Sequence, residues 1–276
     1  MSESRYSLAD LLRVMQRLRD PQTGCPWDLA QDFRSIVPST LEEGYELAHA
    51  IEHDDYEHVA EELGDVLFQV VFYAQLGKEQ NLFCFDSVVN ILVEKLIRRH
   101  PHVFHAGEIE GVSAERVTVG EVKETWEAIK QVERNARSQA GVLTDVPLAL
   151  PALSRAQKIQ KRAAGVNFDW ADAPSVLDKL QEELLELQAA MSAGEHEAVR
   201  DELGDVLFTC VNLARHLGLD AEASLRQSTD KFERRFRQME ASVARRGDVM
   251  ASMTEAQLDQ LWAKAKEALG GGKPGL

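Results

Sequence analysis

The chain has 276 residues, 31 basic and 46 acidic, for a formal charge of -15 at neutral pH. That length allows two domains of ordinary size, each burying its own core, and the negative balance argues against a nucleic-acid polymer or an anionic membrane surface as partner. Three cysteines, Cys25, Cys84 and Cys210, form no C-x-x-C pair and are odd in number, so neither a disulfide framework nor a zinc knuckle is indicated. The opening MSESRYSLADLL lacks a basic-then-apolar leader pattern and no apolar run is long enough to span a bilayer, so a cytoplasmic protein is expected.

Taken in order, the pattern predicts helices throughout and no strands. Ser7 precedes an amphipathic run through Leu8, Leu11, Leu12, Met15 and Leu18 that ends near Asp20-Pro21, and Gly24-Cys25-Pro26-Trp27-Asp28 reads as a loop. Ser39-Thr40-Leu41-Glu42 has the capping-box order and is expected to open a helix to about His53. Asp55 starts the next, running to about Gly77, and further helices are expected near Asp86 to Arg99 and Ser113 to Arg134. After a polar, turn-rich stretch come helices near Ala152 to Ala164, Pro174 to Ala193, Glu195 to Leu217, Asp220 to Arg246 and Thr254 to Leu269. Pro174 suits a first helical turn, Thr254 with Gln257 repeats the capping box, and Gly270-Gly271-Gly272 opens a flexible tail.

An internal repeat organises these helices. EELGDVLF at 61–68 returns as DELGDVLF at 201–208, 140 residues later. Glu43, Glu46, Glu62 and Asp65 map at that offset onto Glu183, Glu186, Glu202 and Asp205. Further on the offset becomes 136, with Lys95, Arg99, Trp126 and Lys130 matching Lys231, Arg235, Trp262 and Lys266. The four-residue difference is assigned to the region between the second and third helices of the unit, where a loop or helix end absorbs it. The chain therefore reads as an all-α tandem duplication: helical bundles at 1–135 and 148–269, a linker at 136–147 and a tail at 270–276.

The recurring acids carry the chemistry. An i,i+3 spacing puts Glu183 with Glu186 on one helix face and Glu202 with Asp205 on the next, so four carboxylates converge on one cleft. Leu177, Leu180, Leu184, Leu187 and Met191 form one apolar stripe, and Leu203, Val206, Leu207, Cys210 and Leu217 another, so both helices are expected to face a core with the acids at its margin. Facing carboxylates repel unless a proton or cation lies between them, and hard oxygen donors without sulfur suit Mg²⁺ or Mn²⁺, which recruits phosphates to complete its shell. A single E-x-x-E is ordinarily a solvated face; its recurrence with the same spacing, beside a mid-helix Gly64 and Gly204, supports a metal site. Lys231 and Arg235, at i,i+4, are candidates for a phosphate tail, against the alternative of a solvated basic face beside Glu233. His100, His102 and His105 surround the helix-breaking Pro101 and read as a surface turn, and the lone Glu46-x-x-His49 has Ala189 in its partner's place, against a di-iron bundle.

The E-E-x-x-E and E-x-x-D pairs, the Lys-Phe-Glu-Arg-Arg run at Lys231 to Arg235, the Leu261-Trp262-Ala263-Lys264-Ala265-Lys266 end and the Gly-Cys-Pro-Trp-Asp loop together resemble the MazG family of tandem-domain nucleoside triphosphate pyrophosphohydrolases, in the all-α NTP pyrophosphatase superfamily. The resemblance covers nearly the whole chain. It implies Mg²⁺-dependent hydrolysis of nucleoside triphosphates between the α and β phosphates, with the metal on Glu183, Glu186, Glu202 and Asp205, and a role in clearing nucleotides from the pool. It also implies a homodimer in which bundles of two chains pack together. Glu183 or Glu186 is then the candidate base, Lys231 and Arg235 catalytic cations, and Lys179, Trp262 and Lys266 further substrate contacts. Lys158, Lys161 and Arg162, near Phe168-Asp169-Trp170, are candidates for the base side. The second copy is favoured as the catalytic unit because His100-Pro101-His102-Val103-Phe104 replaces the Phe-Arg continuation in the first. A non-catalytic helical interaction module and a carboxylate-bridged metal oxidoreductase stay open as alternatives.

Overall fold

The computed structural model describes residues 5–111, 117–136, 141–144 and 146–270. Among these there is no strand, and no helix is long and apolar enough to cross a membrane. The chain divides into two compact units, Met1–Glu133 and Arg134–Leu276.

The first unit holds helices α1 (Leu8–Leu18), the single turn α2 (Pro26–Leu29), α3 (Val37–Glu52), α4 (Tyr56–Glu79), α5 (Phe85–Arg99) and the start of α6 (Val119–Ala136). Ser7 caps α1 reciprocally with Asp10, and Asp55 caps α4 by accepting from the His58 amide. Two local expectations fail. Pro26 starts a helical turn where a loop was expected, since its fixed φ and missing N–H suit a first turn. α3 begins at Val37, so Ser39 and Glu42 lie inside it and form no capping box; the Thr40 hydroxyl donates back to the Ile36 carbonyl at 3.0 Å. The helix expected from Ser113 starts at Val119, capped reciprocally by Thr118 and Glu121, and its forecast first residues include 113–116, outside the described set.

Met15, Ile36, Val71, Phe72 and Leu76 form the core of this unit, so α1 packs on α4. Arg19 at the end of α1 is itself buried. It donates to Glu79 at 2.7 and 2.9 Å and to the carbonyls of Asp28 and Gln31, while its guanidinium lies 5.3 Å from the Phe72 ring centre.

The second unit holds α7 (Ala152–Ala164), α8 (Ala173–Ala193), α9 (His196–His216), α10 (Ala221–Ala244) and α11 (Glu255–Gly270). Asp172 caps α8 through the Ser175 amide at 2.9 Å, Asp220 caps α10 through Ala223 at 2.7 Å, and Thr254 and Gln257 pair at the start of α11 as expected. α8 and α9 form a hairpin turned by Gly194-Glu195, with Gly194 left-handed at φ 71°. A second core of Met239, Val243, Leu261 and Ala265 joins α10 to α11.

The change of offset falls where it was assigned. α4 has 24 residues against 21 in α9, and the following connection is five residues (80–84) against four (217–220). The two copies thus re-enter register at α5 and α10, which start 136 residues apart at Phe85 and Ala221.

The apolar stripes behave differently from expectation. On α8 the buried row is Val176, Glu183 and Ala190, one residue out of step with Leu177, Leu184 and Met191, which are exposed. On α9 the buried residues are Thr209, Val211 and Asn212, while Leu203, Leu207, Cys210 and Leu217 are exposed. The reason is geometric: the residues between α8 and α9 are set by the hairpin, and the leucine rows are left on its outer surface.

Candidate functional site

The α8–α9 hairpin brings the acids together. One carboxylate oxygen from each of Glu183, Glu186 and Glu202 lies within 4.8 Å of the others. Asp205 stands outside that group of three. Glu183 is only 6% exposed, and Lys179, one turn earlier, sits 2.9 Å from it and 2.6 Å from Glu182. Hydrogen bonds to Glu182 and Glu183 raise the Lys179 pKa, so it stays a fixed cation. The Glu202 carboxyl is also raised, by burial first and then by Glu186, Glu183 and Asp205.

The first copy repeats this arrangement on α3 and α4. Oxygens of Glu43, Glu46 and Glu62 converge within the same 4.8 Å, again without the final acid, Asp65. Ser39 occupies the place of Lys179, so this copy has no lysine beside its inner acid. Burial, then Asp65, Glu46 and Glu62, raise the Glu43 carboxyl.

In both copies like charges crowd together and are partly desolvated, which disfavours ionisation. A divalent cation relieves that repulsion, and the donor set of carboxylate oxygens is the one hard cations take. Gly64 and Gly204, between the acids of α4 and of α9, have nothing within 4 Å of where a Cβ would stand. Packing inside the chain therefore does not require either glycine.

A cationic and aromatic group occupies the α10–α11 pair. Phe232 lies 5.1 Å from Trp262 and stacks on Phe236 at 6.0 Å and 17°, and the Arg235 guanidinium is 5.9 Å from the Trp262 ring centre. Lys231 and Lys266 are exposed on the same two helices. Glu233 pairs with Arg237 at 2.5 Å, and Arg235 has no acidic partner among the described residues. Sequence reasoning passed over Phe232 as a contact of Trp262 and Phe236 as the ring stacked on Phe232; their i,i+4 spacing on the same helix as Lys231 and Arg235 is the signal that points to them.

The corresponding first-copy group on α5 and α6 is built otherwise. His100, in the place of Phe236, lies edge-on to Trp126 at 5.0 Å and its Nδ1 is 2.6 Å from the Leu96 carbonyl, so its ring is used in packing. Lys130 lies 5.9 Å from the Trp126 ring centre, Lys95 is half-buried, and Arg99 is paired with Glu133 at 2.5 Å.

The loop between α7 and α8 is held by a network that spacing did not announce. Asp169 accepts from Arg215 and lies 3.1 Å from His216 Nε2, both in the last turn of α9, and Arg215 also donates to the buried Asn212 at 2.6 Å. Burial pushes the Asp169 carboxyl up, and Arg215 and His216 outweigh it to leave it below its usual range. Phe168, next to Asp169 in the chain, is exposed; Lys158 and Lys161 on α7 are exposed too, while Arg162 is half-buried.

A family model described as the MazG nucleotide pyrophosphohydrolase domain matches the chain twice, over residues 31–104 and 172–239. Those segments contain both sets of four acids and both Lys/Arg pairs, but neither Trp/Lys pair. The chain is 47% identical over 258 residues to a nucleoside triphosphate pyrophosphohydrolase of Escherichia coli, covering 93% of this chain and 95% of that one. It is 42% identical over 266 residues to the nucleoside triphosphate pyrophosphohydrolase/pyrophosphatase MazG of Thermotoga maritima, covering 96% and 98%. A nucleoside triphosphate pyrophosphohydrolase of Mycobacterium tuberculosis is 35% identical over 164 residues, 59% of this chain and 46% of that protein.

Proposed function

Because the chain belongs to the MazG nucleotide pyrophosphohydrolase family, we propose that it hydrolyses nucleoside triphosphates between the α and β phosphates, giving monophosphate and pyrophosphate. The observation that carries this reading is the convergence of Glu183, Glu186 and Glu202 within 4.8 Å beside Lys179, inside a segment that matches the family model.

Glu183, Glu186, Glu202 and Asp205 would hold Mg²⁺, or Mn²⁺ in its place. Such a cation, when bound, neutralises phosphate charge and makes a coordinated water more acidic. Glu183 or Glu186 then takes the proton of the water that attacks the α phosphorus in line as pyrophosphate leaves. Lys179 fixes the position of the Glu183 carboxylate through their 2.9 Å contact. Lys231 and Arg235 grip the phosphate tail, Arg235 with forked donors and Lys231 as a point charge. Trp262, supported by Phe232, borders the nucleotide, and Lys266 meets a phosphate. The second copy is the main catalytic unit, in the cytoplasm, acting on free nucleotides of the pool and not on nucleic-acid polymers or membranes.

Phosphorus NMR of the protein with Mg²⁺ and a panel of ribo- and deoxynucleoside triphosphates tests the reaction. Monophosphate and pyrophosphate in equal amounts are expected. Diphosphate with orthophosphate would overturn it.

The same reading includes a homodimer whose bundles cover each other's leucine rows. The exposed positions recur in both copies: Val37 and Leu177, Tyr45 and Leu185, Ile51 and Met191, Leu63 and Leu203, Leu67 and Leu207. Leu203 and Leu207 are 48% and 52% exposed, and rows of this kind on a soluble chain mark a protein interface. The unfilled space at Gly64 and Gly204 is consistent with close approach of a partner or ligand. Sedimentation equilibrium should give a dimer for the native chain and a weakened one for Leu207→Glu; a monomer at micromolar concentration of native chain would end this part of the reading.

A further inference from the structure

The two copies differ where α5 meets α6 and α10 meets α11. Both helices keep the register of the repeat, α5 with α10 and α6 with α11, each 136 residues apart. At this offset Glu133 stands where the second copy has Leu269. Its carboxylate accepts from Arg99 Nη2 at 2.5 Å and from Arg98 Nη2 and Nε at 2.7 and 2.9 Å. The Glu133 and Arg99 side chains are 16% and 27% exposed, so the pair is partly shielded from water. In the second copy the matching Arg235 has no such acid and rests on Trp262.

We propose that Glu133 seals the first copy against triphosphate by engaging the arginine, Arg99, that in the second copy is offered to phosphate as Arg235. The inference rests on the reading of Arg235 as a phosphate ligand. The first copy keeps its three converging acids, so it retains the groups that hold a cation. Glu133 holds Arg99, together with Arg98, on one carboxylate, so Arg99 is not presented to an anionic tail as Arg235 is. Hydrogen bonds from Arg99, opposed by burial and reinforced by Arg98, hold the Glu133 carboxyl at about 2, so the seal persists across the neutral range. The sign is that of a depressed carboxylate: the pair's contribution is complete above the unfolded value and is lost as pH falls toward about 2.

The test uses the full chain with the second copy disabled by Glu202→Ala together with Arg235→Ala and measures binding of an α,β-methylene triphosphate analogue with Mg²⁺ by titration calorimetry. Adding Glu133→Leu, the residue found in the second copy, should tighten binding about tenfold, the gain from freeing an arginine that is otherwise available roughly one time in ten. Glu133→Gln, which keeps the shape of the side chain, should act in the same direction, and Arg99→Ala should cancel either gain. Circular dichroism establishes that each variant is folded. No tightening in either folded variant would overturn the seal. Arg235→Ala in the otherwise native chain separates the two levels: unchanged analogue binding there overturns the phosphate-ligand reading itself, and the seal with it.

Discussion

Glu202→Ala is expected to reduce turnover by more than the roughly 10–100-fold that loss of an outer-shell partner of a metal costs, because it removes one of three converging oxygens. Mg²⁺ is expected to raise the melting temperature of the native chain, and the same variant should lose that rise. This rise has a pH dependence whose sign follows from the raised Glu202 carboxyl. A carboxylate raised in the folded state binds its proton more tightly there than when unfolded. Its contribution is therefore most favourable below the unfolded value and turns unfavourable as pH rises through the folded one, when Glu186 and Glu183 face a charged neighbour. Mg²⁺ relieves that repulsion, so its stabilisation should be full at neutral pH and shrink on acidification into the raised carboxyl range. Differential scanning calorimetry of both proteins with and without Mg²⁺ measures this. Equal turnover and an equal Mg²⁺ shift in the variant would remove Glu202 from the site.

The largest effect on stability is expected at Phe72, which is 0% exposed in the core of the first unit. Replacing a buried phenylalanine by alanine costs about 3–5 kcal/mol, from lost transfer energy and the cavity left behind. Here the ring also meets Phe68 edge-on at 5.8 Å and underlies the guanidinium of Arg19, which ties α1 to Glu79 on α4. Phe72→Ala should thus loosen the α1–α4 packing as well as empty the core. Urea unfolding should show a midpoint lowered to match at constant slope for the first unit. A loss below about 1 kcal/mol would mean that the site collapses around the missing ring. The corresponding residue of the second copy is Asn212, whose side chain accepts from Arg215. The two copies of this helix therefore share their acids, while its interior is aromatic packing in the first and a polar anchor in the second.

Much of the fold is carried by local chemistry and is legible without coordinates. Helix starts at Ser7, Asp55, Asp220 and Thr254 follow from side chains that satisfy exposed amides, and all ten expected helices exist among the described residues, with ends shifted by at most six residues. The repeat, read from EELGDVLF and DELGDVLF, identifies both groups of acids, because an i,i+3 spacing puts two carboxylates on one helix face wherever that helix packs. The MazG family is legible for the same reason, as its motifs are short helical segments.

Helix period alone does not choose which face is covered. It predicts that Leu177, Leu184 and Met191 share a face, yet the hairpin buries the adjacent row of Val176, Glu183 and Ala190. That choice depends on the axial rotation of α8 against α9, a property of the pair and not of either segment. Contacts between distant positions are likewise decided in three dimensions: Asp169 with Arg215 and His216, Phe232 with Trp262, and Arg99 with Glu133. What the sequence by itself determined was which side chains are present and at what spacing, hence the helices, the duplication and the acids. The tertiary structure decided which of them meet, and so left Arg235 on an aromatic ring and Arg99 on a carboxylate, because packing selects one partner from several that the chain makes available.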